Sequence, residues 1–395
     1  MKKILVVGGG PYQVPLIKRI IELGHEAYCV DGNKDAIGFT AATGYKNLDV
    51  LNREACLAYA RNLSIDAVMT YGATITLPTV SYIGEKLGLS VLPAETAGLA
   101  INKYKIKERL AASGCNVKGH FYKLHSREER PKLMLPCVLK PCDGSGSKGV
   151  SIVHHEHDLA NAIQYAFDSA RYGEVYAESF IQGDEYSVEA FVAYGEICIY
   201  AIVKTTFQKL PDGEISYGHR VPFGIDAERK SQIVSEVKKA IIALKITMGS
   251  VNFDVIVSSD DQKAYIIDCG IRVGQNLIAS HLVPLSCGVN VMDNAIALAL
   301  GEKTDTKQKF HRCIATRLLI YRPGTIVEIK NMEPIMGKKG IVDVVLRKKV
   351  GDIQLQYRDK TDTCGWVITT GSTPDEAEYH AIQAKKLLED YIIIQ

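Results

Sequence analysis

The chain has only one tryptophan in 395 residues, and 47 basic side chains against 45 acidic ones leave a net charge of just +2. So even a balance excludes a protein whose main task is to grip nucleic acid through a basic face. A run of about eighteen apolar residues, the length a membrane span needs, does not occur. Ten cysteines are scattered without a single Cys-x-x-Cys pair, and a chain this long does not need disulfide staples. They read as small buried hydrophobes kept reduced. No GxxxxGK[ST] spacing is present, which excludes a Walker A phosphate loop. The start, "MKKILVVGGG", reads as a buried strand that turns into glycine too soon for a signal peptide, so the expected location is cytoplasmic.

What is there falls into three textures. Over residues 1–101, short apolar strands alternate with helical patterns, "KKILVVGG" then "VPLIKRIIELG" then "EAYCVDG", which predicts a doubly wound parallel α/β domain. Residues 102–305 read as an α+β domain with antiparallel strands, and residues 306–395 as a small β-rich α+β domain. Near the C-terminus, Thr373, Pro374 and Glu376 fit an N-cap, a first-turn proline and a capping-box acid for the final helix.

The central block holds residues that no core requires. "LKPCDGSGSKGVSIV" places Lys140 at a strand end, where a rigid element can aim its ammonium at a phosphate. Gly144, Gly146 and Gly149 allow close backbone approach, and Ser145 and Ser147 leave N–H groups free to form an anion nest. Taken alone, the stretch would also suit a hairpin turn. Upstream, Lys103 precedes an amphipathic helix; downstream, "ESFIQGDE" runs from Glu178 through Phe180 and Ile181 to Glu185. A dry slot at a strand edge suits a purine, and a carboxylate suits ribose hydroxyls, although a surface hairpin with solvated acids has the same pattern. Asp254 and Asp268 lie in apolar strands that the hairpin "SSDDQK" would set side by side. Two carboxylates about 4 Å apart repel by ~4 kcal/mol at an effective dielectric near 20. Such a pair calls for a proton, for Arg272 four residues on, or for a cation such as Mg²⁺.

In this order, the features resemble the ATP-grasp superfamily of carboxylate–amine ligases, most closely the carbamoyl-phosphate-synthase-like group that includes amino-acid ligases and is related to biotin carboxylase. The resemblance covers nearly the whole chain and makes residues 102–305 the ATP-grasp domain. It implies that Lys103 and Lys140 hold the ATP phosphates, with the Gly144, Ser145, Gly146, Ser147, Gly149 loop closing over them. It implies an adenine slot from Glu178, Phe180 and Ile181, with Glu185 on the ribose. Asp254 and Asp268 would hold Mg²⁺, with Mn²⁺ as an alternative, and Arg272 would stabilise the activated intermediate. Lys148, His219 and Arg220 would reach toward substrate. The implied partners are small-molecule carboxylates and amines, with no nucleic acid and no membrane, and a second copy of the chain in a homodimer.

One departure stands out. The family's metal motif reads Glu-x-Asn-Pro-Arg, whereas here it is Asp268-Cys269-Gly270-Ile271-Arg272, so a side-chain oxygen is missing at Gly270. Asn252, Gln275 or Asn276 are candidates to replace it. This departure keeps a non-catalytic, regulatory ATP-binding protein as the alternative. A nicotinamide-dependent oxidoreductase, suggested by Gly8-Gly9-Gly10 and Asp31, has Gln13 where its fingerprint wants glycine or alanine and has no use for the lysines and acids between 103 and 272.

Overall fold

The structure is a computed structural model that describes every residue except 131–133, 145, 211–212, 222–224, 275–276 and 358–361. The chain opens on a parallel four-stranded sheet in the order Gly44–Asn47, Glu26–Asp31, Lys3–Val7, Ala67–Met69. Ile4, Leu5, Val6 and Val7 are all fully buried, which is why this strand reads as a continuous apolar run rather than an alternation. The helix Val14–Glu22 covers one face through Leu16, Ile17 and Ile20.

A second, antiparallel sheet orders Phe121–Leu124, Val175–Ser179, Cys137–Pro141 and Ser151–Val153, and the helix Glu156–Ser169 packs on it. The largest sheet has eight strands, in the order Ala264–Gly270, Gly249–Ser258, Gly183–Ala193, Glu196–Leu210, Gly213–Arg220, Cys313–Leu318, Gly365–Gly371 and Ile341–Leu346. Strands Gly183–Ala193 and Glu196–Leu210 are joined by a tight turn in which Tyr194 (φ +52°) and Gly195 (φ +84°) both take the left-handed conformation that matches the twist of a hairpin. A three-stranded sheet of Ile353–Gln354, Gly324–Ile329 and Ile392–Ile394 ends the chain. The α/β and α+β class expected from the sequence is the observed one.

The eight-stranded sheet runs straight across residue 306: Gly213–Arg220 pairs antiparallel with Cys313–Leu318. One apolar core likewise joins Ile4 and Val6, Phe191 and Ala279, and Ile314 and Ile368. We therefore propose the divisions at 101/102 and 305/306 as units of chain order rather than as separately packed bodies. The final helix, Pro374–Leu388, starts as its residues predict, with one difference. Thr373 Oγ1 accepts the Glu376 N–H at 3.1 Å, but the Glu376 carboxylate reaches back to Ser372 N–H at 2.7 Å, one residue before the cap. Among the described residues no single helix is long and apolar enough to cross a membrane.

Candidate functional site

The first sheet-to-sheet junction is built from lysines. Asn102 caps the helix Lys103–Ala112, accepting the Lys105 N–H at 3.0 Å, and the Lys103 N–H donates to the Cys142 carbonyl at 2.7 Å. That bond ties the helix start to the end of the strand carrying Lys140. Lys103 Nζ then reaches the Asp268 carboxylate on the large sheet. Lys140 is buried; its Nζ pairs with Glu178 and donates to the Ile267 carbonyl at 3.0 Å. Lys107, one helical turn after Lys103, binds the other Glu178 oxygen at 2.8 Å and the Ile266 carbonyl at 3.3 Å. Three ammoniums and two carboxylates thus lock the helix, the small sheet and the strand Ala264–Gly270 together.

The charges survive burial because they are paired. Burial by itself would raise the Asp268 carboxyl, but Lys103, Lys140 and Arg272 override it and hold it down at about 2. Burial opposes the Glu178 charge too, and Lys140 and Lys107 bring that carboxyl below its ordinary range. For Lys140, burial works against the ammonium, yet Glu178, Tyr176 and Asp268 keep it charged beyond the usual lysine range.

Asp254 and Asp268 stand directly opposite each other in the hairpin, as the sequence led us to expect. Asp254 Oδ1 accepts from Ser187 Oγ at 2.9 Å. Among the described residues no group of three acids, histidines or cysteines could hold a metal alone. Mg²⁺, however, usually takes one or two carboxylates and completes its octahedron with water and phosphate oxygens, so two adjacent aspartates fit it. The glycine at 270 has a visible reason. A Cβ built there would sit 3.0 Å from Arg272 Cζ, so the guanidinium lies where a larger side chain would stand. Asn252, one candidate to replace the missing oxygen, donates its amide N–H to Ser187 Oγ at 2.9 Å and to Glu189 Oε2 at 3.3 Å. Gln275 and Asn276, the other candidates, lie outside the described residues.

The remaining expected residues fall around this centre unevenly. Gly146 and Gly149, with Ser147 between them, take positive φ, so the loop turns tightly, and Lys148 is exposed on it. Ser145 lies outside the described residues, and Gly144 backs onto the Pro141 ring. Ile181 is buried and Phe180 half-buried beside the His154 ring. Glu185 is half-buried opposite Ile256, two residues along from Ser187 and so on the Asp254 face. His219 is buried on the strand Gly213–Arg220. Arg220 is not brought to the lysine–aspartate centre: it pairs with Asp375 and with Glu378 at 3.0 Å, both on the final helix.

The glycine turn of the first sheet is spent internally. Asp31 accepts the Gly9 N–H at 2.7 Å through one oxygen and the Asn33 N–H at 2.7 Å through the other. Gln13 folds over Gly8 and donates to the Tyr71 carbonyl. The acid that a dinucleotide ribose would need is thus already bonded to backbone.

Three residues went unread in the sequence. Lys107 is signalled only by its spacing from Lys103. Glu189 is fully buried; burial pushes its carboxyl up to about 8 even though the Gly274 N–H, Arg272 and Asn252 all favour its charge. Tyr71 sits buried where the first sheet meets the large one, and nothing in "VMTYGATIT" separates it from packing.

Residues 133–280 match the ATP-grasp domain, and residues 317–390 match L-amino acid ligase C-terminal domain 2. An uncharacterised protein of Sinorhizobium fredii, y4rH, is 26% identical over 84% of this chain and 69% of its own length. The carbamoyl phosphate synthase large chain of Clostridium botulinum is 22% identical over 96% of this chain, which spans only 35% of that protein. The crystal structure of L-amino acid ligase from Bacillus licheniformis shares the fold, with a TM-score of 0.85 at 23% identity, covering 100% of this chain and 99% of that one. Residues 133–280 thus carry an ATP-grasp domain, and it is followed by an L-amino acid ligase C-terminal domain over residues 317–390.

Proposed function

We propose that the protein is an ATP-dependent ligase that joins a small-molecule carboxylate to an amine. One observation carries the reading: Lys103, Lys140, Asp254, Asp268 and Arg272, from three separate parts of the chain, converge at the junction of two sheets. Phosphoryl transfer asks for positioning and charge neutralisation rather than a protein nucleophile, and this set supplies both. A substrate carboxylate oxygen attacks the γ-phosphorus of ATP, the bond to the bridging oxygen breaks, and ADP leaves. The amine nitrogen then attacks the carbonyl carbon of the acyl phosphate, loses a proton, and expels phosphate.

Within that scheme Lys103 and Lys140 exchange their carboxylate partners for phosphate oxygens. Asp254 and Asp268 would hold Mg²⁺, which when bound neutralises charge on the triphosphate. Arg272, folded over Gly270, presents its guanidinium beside Asp268 to the transferred group. The Gly144–Gly149 loop closes over the phosphates and keeps water from the acyl phosphate. The ten free thiols fit a reducing compartment, the cytoplasm, and a homodimer is the assembly the resemblance implies.

A phosphate-release screen of amino and hydroxy acids, alone and in pairs, with ATP and Mg²⁺, tests the reading. Hydroxylamine added during turnover should trap the acyl phosphate as a hydroxamate. Phosphate release without any hydroxamate would remove the proposed intermediate.

A further inference from the structure

Of the three ammoniums at the sheet junction, the ligase reaction employs Lys103 and Lys140 and leaves Lys107 without a task. Lys107 is buried, and so is the carboxylate it meets, Glu178. The two buried lysines divide Glu178 between them: Lys140 Nζ takes Oε1, and Lys107 Nζ takes Oε2 at 2.8 Å. Each is also anchored on the strand Ala264–Gly270, Lys107 on the Ile266 carbonyl at 3.3 Å and Lys140 on the Ile267 carbonyl at 3.0 Å. Ile267 is the extra residue of a β-bulge, since Asp268 pairs with Asp254 and Ile266 with Val255. The strand lies at the edge of its sheet, and the bulge leaves two successive carbonyls to the lysines.

Depth separates the two lysines. The Lys103–Asp268 pair lies toward solvent, its side chains 20% and 36% exposed, whereas Lys140 falls to 10% and Lys107 and Glu178 to 8% and 7%. The gap bordered by Lys103, Lys107, Tyr176 and Asp268 measures about 10 Å³, room for one water at most and too little for a phosphate. A phosphate that meets Lys103 can therefore draw Lys140 away from Glu178, but it leaves Lys107 where it is. Among the described residues, Lys107 and Lys140 are the cations in contact with Glu178. Its cross-strand neighbours are Phe121 and Val138, and Tyr176, two residues back on the same face, lies under Lys140 with its ring centre 5.3 Å from Nζ. Burial opposes the charge on Glu178, and the two lysines overcome it. A buried carboxylate stripped of every partner is far costlier than a paired one, so the exchange at Lys140 needs a counterion that stays behind.

We propose that Lys107 is a positioning residue for nucleotide binding: it keeps Glu178 ionised and in place while Lys140 exchanges Glu178 for a phosphate oxygen. The movement of Lys140 comes from the ligase reading; the role of Lys107 rests on that reading and adds the counterion that makes the exchange possible.

Calorimetry on the full chain at neutral pH tests it. A non-hydrolysable ATP analogue with Mg²⁺ is titrated in two buffers of different ionisation enthalpy, so that proton uptake is read beside affinity. Lys107→Met keeps the length and removes the charge, and in the free protein Glu178 still has Lys140. Its affinity for the analogue should fall about tenfold or more, because Lys140 can no longer leave Glu178 freely. Binding should also take up about one proton beyond the wild-type value, since Glu178 must be neutralised when Lys140 departs. Lys107→Arg should return both values to those of the wild type. The double variant Lys107→Met with Glu178→Gln should match Glu178→Gln alone, because the charge that needs Lys107 is gone. If melting curves show Lys107→Met unfolded, that last comparison carries the test. Wild-type affinity in folded Lys107→Met, weaker binding without the added proton, or a double variant weaker than Glu178→Gln overturns the role of Lys107 alone, as long as the wild type binds the analogue. Failure of the wild type to bind it removes the nucleotide reading, and the role of Lys107 with it.

Discussion

The lysine–aspartate centre and the polar cluster around Glu189 are neighbours on one sheet, yet they manage burial in opposite ways. In the first, each of the charges Lys103, Lys107, Lys140, Glu178 and Asp268 has an opposite charge in contact. In the second, Glu189 Oε1, Ser250 Oγ and Tyr71 Oη have none. Burying ions is expensive, but each partner stands in for the water its counterpart lost, so the pairs stay charged inside the cleft. An incoming phosphate can then take over a lysine by exchange rather than by opening a new charge. The difference teaches that one sheet can carry buried polar groups either with internal counterions or with some hydrogen bonds left unmade.

The comparison breaks most sharply at Asp268. Asp268→Asn removes a carboxylate from both the lysine pair and the aspartate pair, and we expect ADP release with the cognate substrates to fall roughly 10³-fold. Near-normal turnover in that variant would end the assigned role. Next comes Lys140→Ala, which leaves Glu178 with Lys107 alone. Removing one partner of a buried pair should cost about 3 kcal/mol in urea unfolding as well as ATP-dependent turnover. A variant as stable as the wild type would mean that Glu178 is not held as described.

At the border between the two regions, Gly270→Asn should push the Arg272 guanidinium from its place. A displacement of this kind costs on the order of 10²-fold in turnover, read as kcat/KM for the carboxylate, while ATP affinity changes little. An unaltered kcat/KM would show that Arg272 does not need the space. The last effect lies in the pH dependence. Glu189 is raised from an ordinary 4.5 to about 8, so between these values the folded chain holds a proton that the unfolded chain has released. The Glu189 contribution to stability is then full below pH 4.5 and declines as pH rises toward 8. Thermal unfolding of Glu189→Gln should lack that decline. A parallel decline in both proteins would place its source elsewhere.

Much of this was readable from residues in order. The apolar run "KILVV" announced a doubly buried parallel strand, and the spacing of Asp254 and Asp268 about "SSDDQK" announced their pairing, because hairpin register follows from strand and turn length. Lys140 at the end of a strand and Lys103 at the start of a helix were legible as rigidly aimed charges. Lys107 was not, since a lysine four residues on from another looks like any solvated helix face until a buried acid meets it. Arg220 had the right residue type in a suggestive stretch, but the final helix, more than a hundred residues later, supplies the acids that take it.

Glu189 marks the limit most clearly. Alternation in "EYSVEAFV" places Ser187, Glu189 and Phe191 on one face, whatever that face meets. The sequence by itself determined the strands, the helices, the charged residue types and which side chains share a face, because these depend on backbone periodicity and close neighbours. Which acid found a lysine, which was left with an unbonded oxygen, and that a sheet would cross from the middle of the chain to its end were decided only by the tertiary structure. Pairing and burial depend on segments far apart in the chain, and no local pattern specifies what a face will be packed against.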